Sequence, residues 1–216
     1  MLHRQWIFDM DGTLVDSTAP VWDRAPLVLL ERFGKTPRPG LMEALLPLDL
    51  PACAAYLVRE YGLPQDPRKL EQAMKEVTLE LYLQAGFKPG AEALLRRLQA
   101  EGVRMGLCSS TWEGHCRAVL TRLGVADCFE FMITTQGARS KSRPDVFLEA
   151  LHRLGGTDPA GCVVCEDAVY AARTAHDAGF LVLGMQDAGS RADEPELRRV
   201  CSQFVDDWDK LDWAGL

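Results

Sequence analysis

The fold turns on residues 6–17, Trp6-Ile7-Phe8-Asp9-Met10-Asp11-Gly12-Thr13-Leu14-Val15-Asp16-Ser17. Trp6-Ile7-Phe8 is a short apolar run of the kind that forms a buried strand. Two aspartates follow it, two residues apart, and Gly12 lets the chain turn sharply behind them. Asp16 and Ser17 read as turn and cap residues.

Further along the chain the texture changes twice. From Pro20 to about Tyr82 the pattern is helical and holds no convincing strand. Pro37, Pro39-Gly40, Pro47, Pro51, Pro64 and Pro67 cut it into pieces. Val28, Leu29, Leu30 and Phe33 fit one amphipathic helix, Ala55, Leu57 and Val58 a second, and Met74, Val77, Leu81 and Tyr82 a third. After Gly86, strands and helices alternate. Pro89-Gly90 opens a helix with Leu94, Leu95 and Leu98 on one face, and Gly102 stops it. Val103 to Cys108 reads as a strand, and Trp112 to Leu123 as a helix ended by Gly124. Phe131-Met132-Ile133 is a strand, and Pro144 to Leu154 a helix that opens with proline. Cys162-Val163-Val164-Cys165 is a strand, Val169 to Ala178 a helix closed by Gly179, and Leu181-Val182-Leu183 a strand. Such alternation with short links requires right-handed crossovers and a parallel sheet covered on both faces. The expectation is an α/β core at 1–16 and 87–216, with a helical insertion at 17–86 after the first strand.

The 216 residues carry a formal net charge of -7, with 47% hydrophobic and 25% charged residues, a balance that can bury a core without metal or disulfide staples. The acidic balance speaks against a nucleic-acid partner, which wants a basic stripe. No apolar run approaches the ~20 residues that span a bilayer, so no membrane partner is expected. The start runs straight into a strand, which leaves no room for a cleavable signal peptide. Seven cysteines, an odd number at irregular spacing, read as small hydrophobes of a reducing, cytoplasmic setting. Cys162 and Cys165 have redox or zinc spacing, but three residues apart on a strand they face opposite ways. The four histidines, at 3, 115, 152 and 176, show no metal-ligand spacing and read as surface or structural residues.

In open α/β sheets, ligands bind beyond the carboxyl ends of the strands. Here those ends read Asp9-Met10-Asp11-Gly12-Thr13, Ser109-Ser110-Thr111, Ser140-Lys141-Ser142-Arg143 after a loop, and Glu166-Asp167. Asp9, Asp11, Glu166 and Asp167 would gather four carboxylates against one cation, Lys141. Such a cluster stays ionised only with a compensating cation, and hard oxygen ligands with open positions suit Mg²⁺. Ser109 and Ser110, Lys141, and backbone amides such as that of Met10 make a phosphate cradle. The inferred chemistry is metal-assisted phosphoryl transfer. Asp9 is the candidate nucleophile, forming an aspartyl-phosphate. Asp11 is the candidate general acid and base, which protonates the leaving oxygen and then activates water. Taken singly, Ser109 also reads as a helix cap, Lys141 as a solvated surface lysine, and Glu166-Asp167 as an acidic helix start.

At this point the sequence resembles a known family. Residues Asp9 to Ser17 look like motif I of the haloacid dehalogenase-like hydrolase superfamily. Ser109 after Gly106-Leu107-Cys108 is similar to motif II, Lys141 with Pro144-Asp145-Val146-Phe147 to motif III, and Glu166-Asp167 after Val163-Val164-Cys165 to motif IV. The four stand in order, and the resemblance covers the whole chain. The insertion is similar to the small cap of the phosphatase and β-phosphoglucomutase-like branch. The resemblance implies a Rossmann-like core with a mobile helical cap. It implies Mg²⁺ bound by Asp9, the backbone oxygen of Asp11 and the motif IV acids Glu166 and, chiefly, Asp167.

Asp11 argues against dehalogenation and against the phosphonoacetaldehyde branch, both of which lack that acid. Val21 stands where the mutase branch usually carries histidine, and Thr18 where many sugar-phosphate phosphatases carry glutamate. Ser142 replaces a common proline. Ala168 replaces a serine whose hydroxyl could order the metal carboxylates, with Tyr170 close behind. In the insertion, Trp22, Asp23, Arg24, Tyr56, Arg59, Arg68 and Lys75 are the polar or aromatic candidates for selecting substrate. The expected function is Mg²⁺-dependent hydrolysis of a small phosphate ester, a sugar phosphate or phosphoglycolate-like metabolite, by a monomer or homodimer. A phosphosugar mutase and a catalytically silent binding protein on the same fold are the alternatives. A signalling receiver domain also pairs aspartate, hydroxyl and lysine, but has no such insertion.

Overall fold

The structure, a computed structural model, describes residues 3–45, 48, 50–63, 66–135 and 139–216. The chain opens with strand β1 (Gln5–Phe8), whose Trp6, Ile7 and Phe8 are fully buried. A strand apolar at every position belongs in the middle of a sheet covered on both faces. A tight loop leads to the two-residue strand β2 (Val15–Asp16). Helices α1 (Ala25–Arg32), α2 (Leu41–Leu45), α3 (Leu50–Tyr61) and α4 (Pro67–Tyr82) follow, and the chain returns through β3 (Gly86–Phe87), antiparallel to β2.

The second half alternates: α5 (Ala91–Ala100), β4 (Arg104–Ser109), α6 (Glu113–Arg122), β5 (Phe131–Thr134), α7 (Asp145–Arg153), β6 (Cys162–Glu166), α8 (Val169–Asp177), β7 (Leu181–Met185), α9 (Glu194–Val200) and β8 (Gln203–Val205). Among the described residues, six strands form one parallel sheet in the order β5-β4-β1-β6-β7-β8. Ile7 lies in register between Gly106 on one side and Val164 on the other. The strand that carries the paired aspartates is therefore flanked by the strands that end in Ser109 and Glu166.

The chain divides into two compact units, Met1–Thr18 with Gly86–Leu216, and Ala19–Ala85. In the first unit, Ile7, Cys108, Val164 and Val182 of the sheet pack with Phe147, Ala150 and Leu151 of α7 and Ala171, Ala172 and Ala175 of α8. In both helices apolar residues recur every three or four positions, and the sheet takes up their apolar faces. Gly124, at φ +77°, supplies the left-handed residue that ends α6. Cys162 belongs to this apolar cluster, and strand alternation places Cys165 on the other face. All seven cysteines are free thiols.

In the second unit, α4 packs against α1 and α3. Leu29, Leu30, Leu57, Leu70, Met74, Val77 and Tyr82 are buried. Asp66 caps α4 by accepting from the Arg68 N–H at 2.8 Å, with Pro67 in the first turn. The expected helix around Ala55 forms, but Ala54 is buried and Ala55 is exposed. Pro47 and Pro64, read as breaks in the helical run, lie outside the described residues. No helix among the described residues is long and apolar enough to cross a membrane.

Three features extend beyond the sequence reading. β2 and β3 form a two-residue ribbon, too short for any periodicity to show. α9 and β8 extend the sheet past Met185. The residues of β8 are only half-buried, so its composition lacks the continuous apolar signal of the inner strands.

Candidate active site

Asp9 follows β1 directly, and its N–H donates to the Cys165 carbonyl at 2.9 Å, so the sheet ladder itself fixes its position. Behind it the loop closes on itself. Leu14 and Val15 donate to the Met10 carbonyl at 2.9 and 2.8 Å, and Gly12 donates to Val15 at 2.9 Å. Gly12 has φ +72°, and a Cβ there would stand 2.5 Å from Asp167 Oδ2. Only glycine lets this loop lie against Asp167. The Trp208 indole N–H donates to the Thr13 carbonyl at 2.9 Å and pins the loop from its buried side.

Lys141 is 3% exposed, and its ammonium donates to Asp9 Oδ1 and, at 2.6 Å, to Glu166 Oε1. The surface-lysine alternative is thereby excluded. Glu166, 1% exposed, also accepts from the N–H groups of Asp167 and Ala168 through Oε2, at 3.3 and 3.4 Å. It therefore serves both as the lysine's partner and as an anchor for the turn that leads into α8, whose N-cap residue Ala168 offers no side-chain cap. Asp9, Glu166 and Asp167 each offer an oxygen within 4.8 Å of the others. Thr13 Oγ1 donates to Asp167 Oδ1 at 3.0 Å, so a threonine orders the carboxylate that a serine at 168 could have ordered.

Three carboxylates around one lysine leave surplus negative charge. Burial pushes the Asp9 carboxyl up to about 8; Lys141 pulls it down, while Glu166 and Asp11 push it further up. Asp167 is raised by burial, then by Asp9 and Glu166. Burial opposes the charge on Lys141, but Asp9 and Glu166 outweigh it and hold the ammonium protonated well beyond its usual range. Such a donor set fits a divalent cation: the oxygens are hard, they converge, and the surplus charge calls for a cation.

The Asp11 side chain is placed differently. Its Oδ1 accepts from Ser17 Oγ and its Oδ2 from Thr111 Oγ1, both at 2.7 Å. Ser17, read as a turn or cap residue, is fully buried and serves this carboxylate instead. Ser109, buried at the end of β4, accepts from the Thr111 N–H at 3.1 Å. It does not cap α6, whose N-cap residue is Trp112. Ser110 Oγ lies 3.0 Å from Thr135 Oγ1. Tyr170 is 45% exposed, and burial raises its phenol while Lys141 lowers it. Met10 buries its side chain completely.

Sequence reasoning missed the roles of Ser17, Thr111 and Thr13, and it missed Lys88 and Asp187 altogether. Those two form a buried ion pair at 3.1 Å. Hydroxyl donors leave no trace in composition or spacing, and the ion pair joins residues far apart in the chain. Within the insertion, Trp22 stands edge-on to Tyr82, Arg59 pairs with Glu60 at 2.7 Å beside the Tyr56 ring, and Lys75 pairs with Glu71 at 2.9 Å. Asp23, Arg24 and Arg68 are exposed.

A parallel sheet whose strand ends gather acids, a buried lysine and hydroxyls is the frame of a phosphoryl-handling hydrolase. Residues 6–185 match the family described as haloacid dehalogenase-like hydrolase, and the chain belongs to that family. It is an enzyme of the phosphoric monoester hydrolase class. Its relatives include a Drosophila melanogaster protein named "Probable pseudouridine-5'-phosphatase", 30% identical over 84% of this chain and 80% of that one. The phosphoglycolate phosphatase of Rhodospirillum rubrum is 29% identical over 97% of this chain and 90% of its own. The crystal structure of CbbY from Rhodobacter sphaeroides in complex with phosphate shares the fold, with TM-score 0.81 and 21% identity over 100% of this chain and 99% of that one.

Proposed function

We propose that this enzyme is a Mg²⁺-dependent phosphatase of a small phosphate ester, a sugar phosphate or phosphoglycolate-like metabolite, acting through an aspartyl-phosphate on Asp9. The observation that carries the reading is the convergence of Asp9, Glu166 and Asp167 on one another around the buried Lys141. Two relatives named as phosphatases, of a nucleotide-like and of a two-carbon phosphate, support the substrate class.

Asp9, Asp167 and the backbone oxygen of Asp11 would hold the cation. Glu166 contributes less, because Lys141 and two backbone N–H groups already engage its oxygens. When bound, Mg²⁺ supplies positive charge against the phosphoryl oxygens. Lys141 orients Asp9, and Ser109 and Ser110 with the amides of the strand ends cradle the phosphate. A carboxylate oxygen of Asp9 attacks phosphorus, and the bond from phosphorus to the ester oxygen breaks. Asp11 gives its proton to the departing oxygen. It then takes a proton from water, whose oxygen attacks phosphorus, and the bond to Asp9 breaks to release phosphate. Ser17 and Thr111 steady Asp11 between its two tasks.

The helical unit is the cap in this reading and selects the ester. Val21 leaves it without the histidine expected of a mutase, which favours release of phosphate over its return to a sugar. The test is a panel of phosphorylated metabolites assayed for phosphate release and for isomer formation, with Mg²⁺ and with EDTA. Phosphate release that EDTA abolishes, and that Asp9→Asn lowers by about a thousandfold or more, is the expected result. Isomer formation without phosphate release, or wild-type turnover in Asp9→Asn, overturns the reading.

A further inference from the structure

One buried ion pair stands beside the acids of the strand ends without a part in the chemistry above. Asp187, in the loop after β7, accepts from Lys88 Nζ at 3.1 Å through Oδ2. Its Oδ1 accepts from Thr18 Oγ1 at 2.6 Å and from the Gly189 N–H at 2.9 Å. Lys88 also donates to the Gln186 carbonyl at 2.9 Å. Both side chains are buried. The pair lies close to the proposed cation site, because one point marks the distance to both acids. A Cβ on Gly12 would be 2.5 Å from Asp167 Oδ2 and 3.0 Å from Asp187 Cγ. Asp187 and Asp167 therefore flank the same face of Gly12. The Asp187 charge reaches Asp167 and adds to the burial, Asp9 and Glu166 effects that raise its carboxyl.

A fourth carboxylate beside three others would be costly if it stood alone. Lys88 offsets it. The two charges act on one small region with opposite sign, and neither has an evident role in contacting phosphate.

We propose that Lys88 and Asp187 form a positioning pair that sets the divalent-cation affinity of the strand-end acids, Asp187 strengthening it and Lys88 restraining it. The proposal rests on the metal-binding reading of Asp9 and Asp167. It gives Asp187 a purpose beyond holding a loop. The cation feels the pair through space. A simple strut would act otherwise, since removing either half of it would loosen the site and weaken binding.

The test is titration of MgCl₂ into purified protein by calorimetry, without substrate, for the wild type, Asp187→Asn, Lys88→Met and the double variant. Circular dichroism checks that each is folded. Asp187→Asn should weaken Mg²⁺ binding by about threefold or more, and Lys88→Met should tighten it, because unit charges at this range in a partly polar interior carry that much energy. The double variant should bind more tightly than Asp187→Asn. Should Lys88→Met fail to fold, that last comparison decides, since the double variant leaves no buried charge unpaired. Both single variants weakening, Asp187→Asn matching the wild type, or the double variant binding no better than Asp187→Asn overturns the proposal. Wild-type protein that takes up no Mg²⁺ overturns the metal reading itself, a result distinct from all of these.

Discussion

At the scale of single residues, the site is held by short side chains that do no chemistry themselves. Thr111 and Ser17 clasp Asp11 from opposite oxygens, each at 2.7 Å. A hydrogen bond contributes about 0.5–1.5 kcal/mol net, and two of them on opposite oxygens fix which way the side chain faces. Thr111→Val should therefore lower kcat by about tenfold or more with little change in KM, read by steady-state assay. Gly12→Ala should be more damaging. It forces an L side chain into a left-handed backbone, at about 1–2 kcal/mol, and pushes a methyl against Asp167. Urea unfolding should show the lost stability, and weakened Mg²⁺ binding should show the displaced carboxylate. Asp9, Asp11, Glu166 and Asp167 stood out in the sequence because charged residues at apolar strand ends are conspicuous, whereas Lys141, in the loop after β5, was legible only together with them. Thr13, Ser17 and Thr111 did not, because a hydroxyl is as common on a surface turn as in a buried clasp.

At the scale of elements, legibility followed burial. β1, β4 and β6 are buried on both faces and read as apolar runs. α5 showed its buried face as leucines at helical spacing, while α7 and α8 announced themselves by an opening proline and a closing glycine. The ends were legible too, since Gly102, Gly124 and Gly179 each follow a helix with positive φ. What escaped was the region after Met185. There, after α9, the half-buried β8 joins the sheet through pairing with Leu183, Gly184 and Met185, a relation that no local pattern encodes. α7 carries the lysine loop on its amino-terminal side and packs Phe147 into the core without exposure. Phe147→Ala should cost about 3–5 kcal/mol in chemical denaturation. Mg²⁺ affinity measured on the remaining folded fraction should fall much less, since the ring contacts the core and not the acids.

For the molecule as a whole, the surplus charge at the strand ends is a stability statement. Burial carries the Asp9 carboxyl up to about 8, far above the ordinary aspartate range, and Asp167 is raised as well. The native state keeps protons that the unfolded chain gives up, so metal-free protein should lose stability as pH rises from about 4 to about 8. Thermal melts at about pH 5.5 and pH 8 in EDTA should show the drop. Millimolar Mg²⁺ should recover most of it at the higher pH, since a ligand of the native state alone stabilises it. Melting curves independent of pH and of Mg²⁺ would contradict the charge argument.

The strand order has a further consequence for how the protein is made. Of the strands in this sheet β1 leaves the ribosome before the others, yet its neighbours are Arg104–Ser109 and Cys162–Glu166. It stays unpaired and apolar until Arg104–Ser109 has been made, and covered on both edges only once Cys162–Glu166 follows, a topology rich in distant contacts that folds slowly. Lys141 emerges before Glu166 and Asp167 do, so a nascent chain has its ammonium ready before the full set of acids. A chain that stops before Glu166 lacks two of the three acids of the proposed cation site, and a nascent molecule gains in yield from shielding of β1.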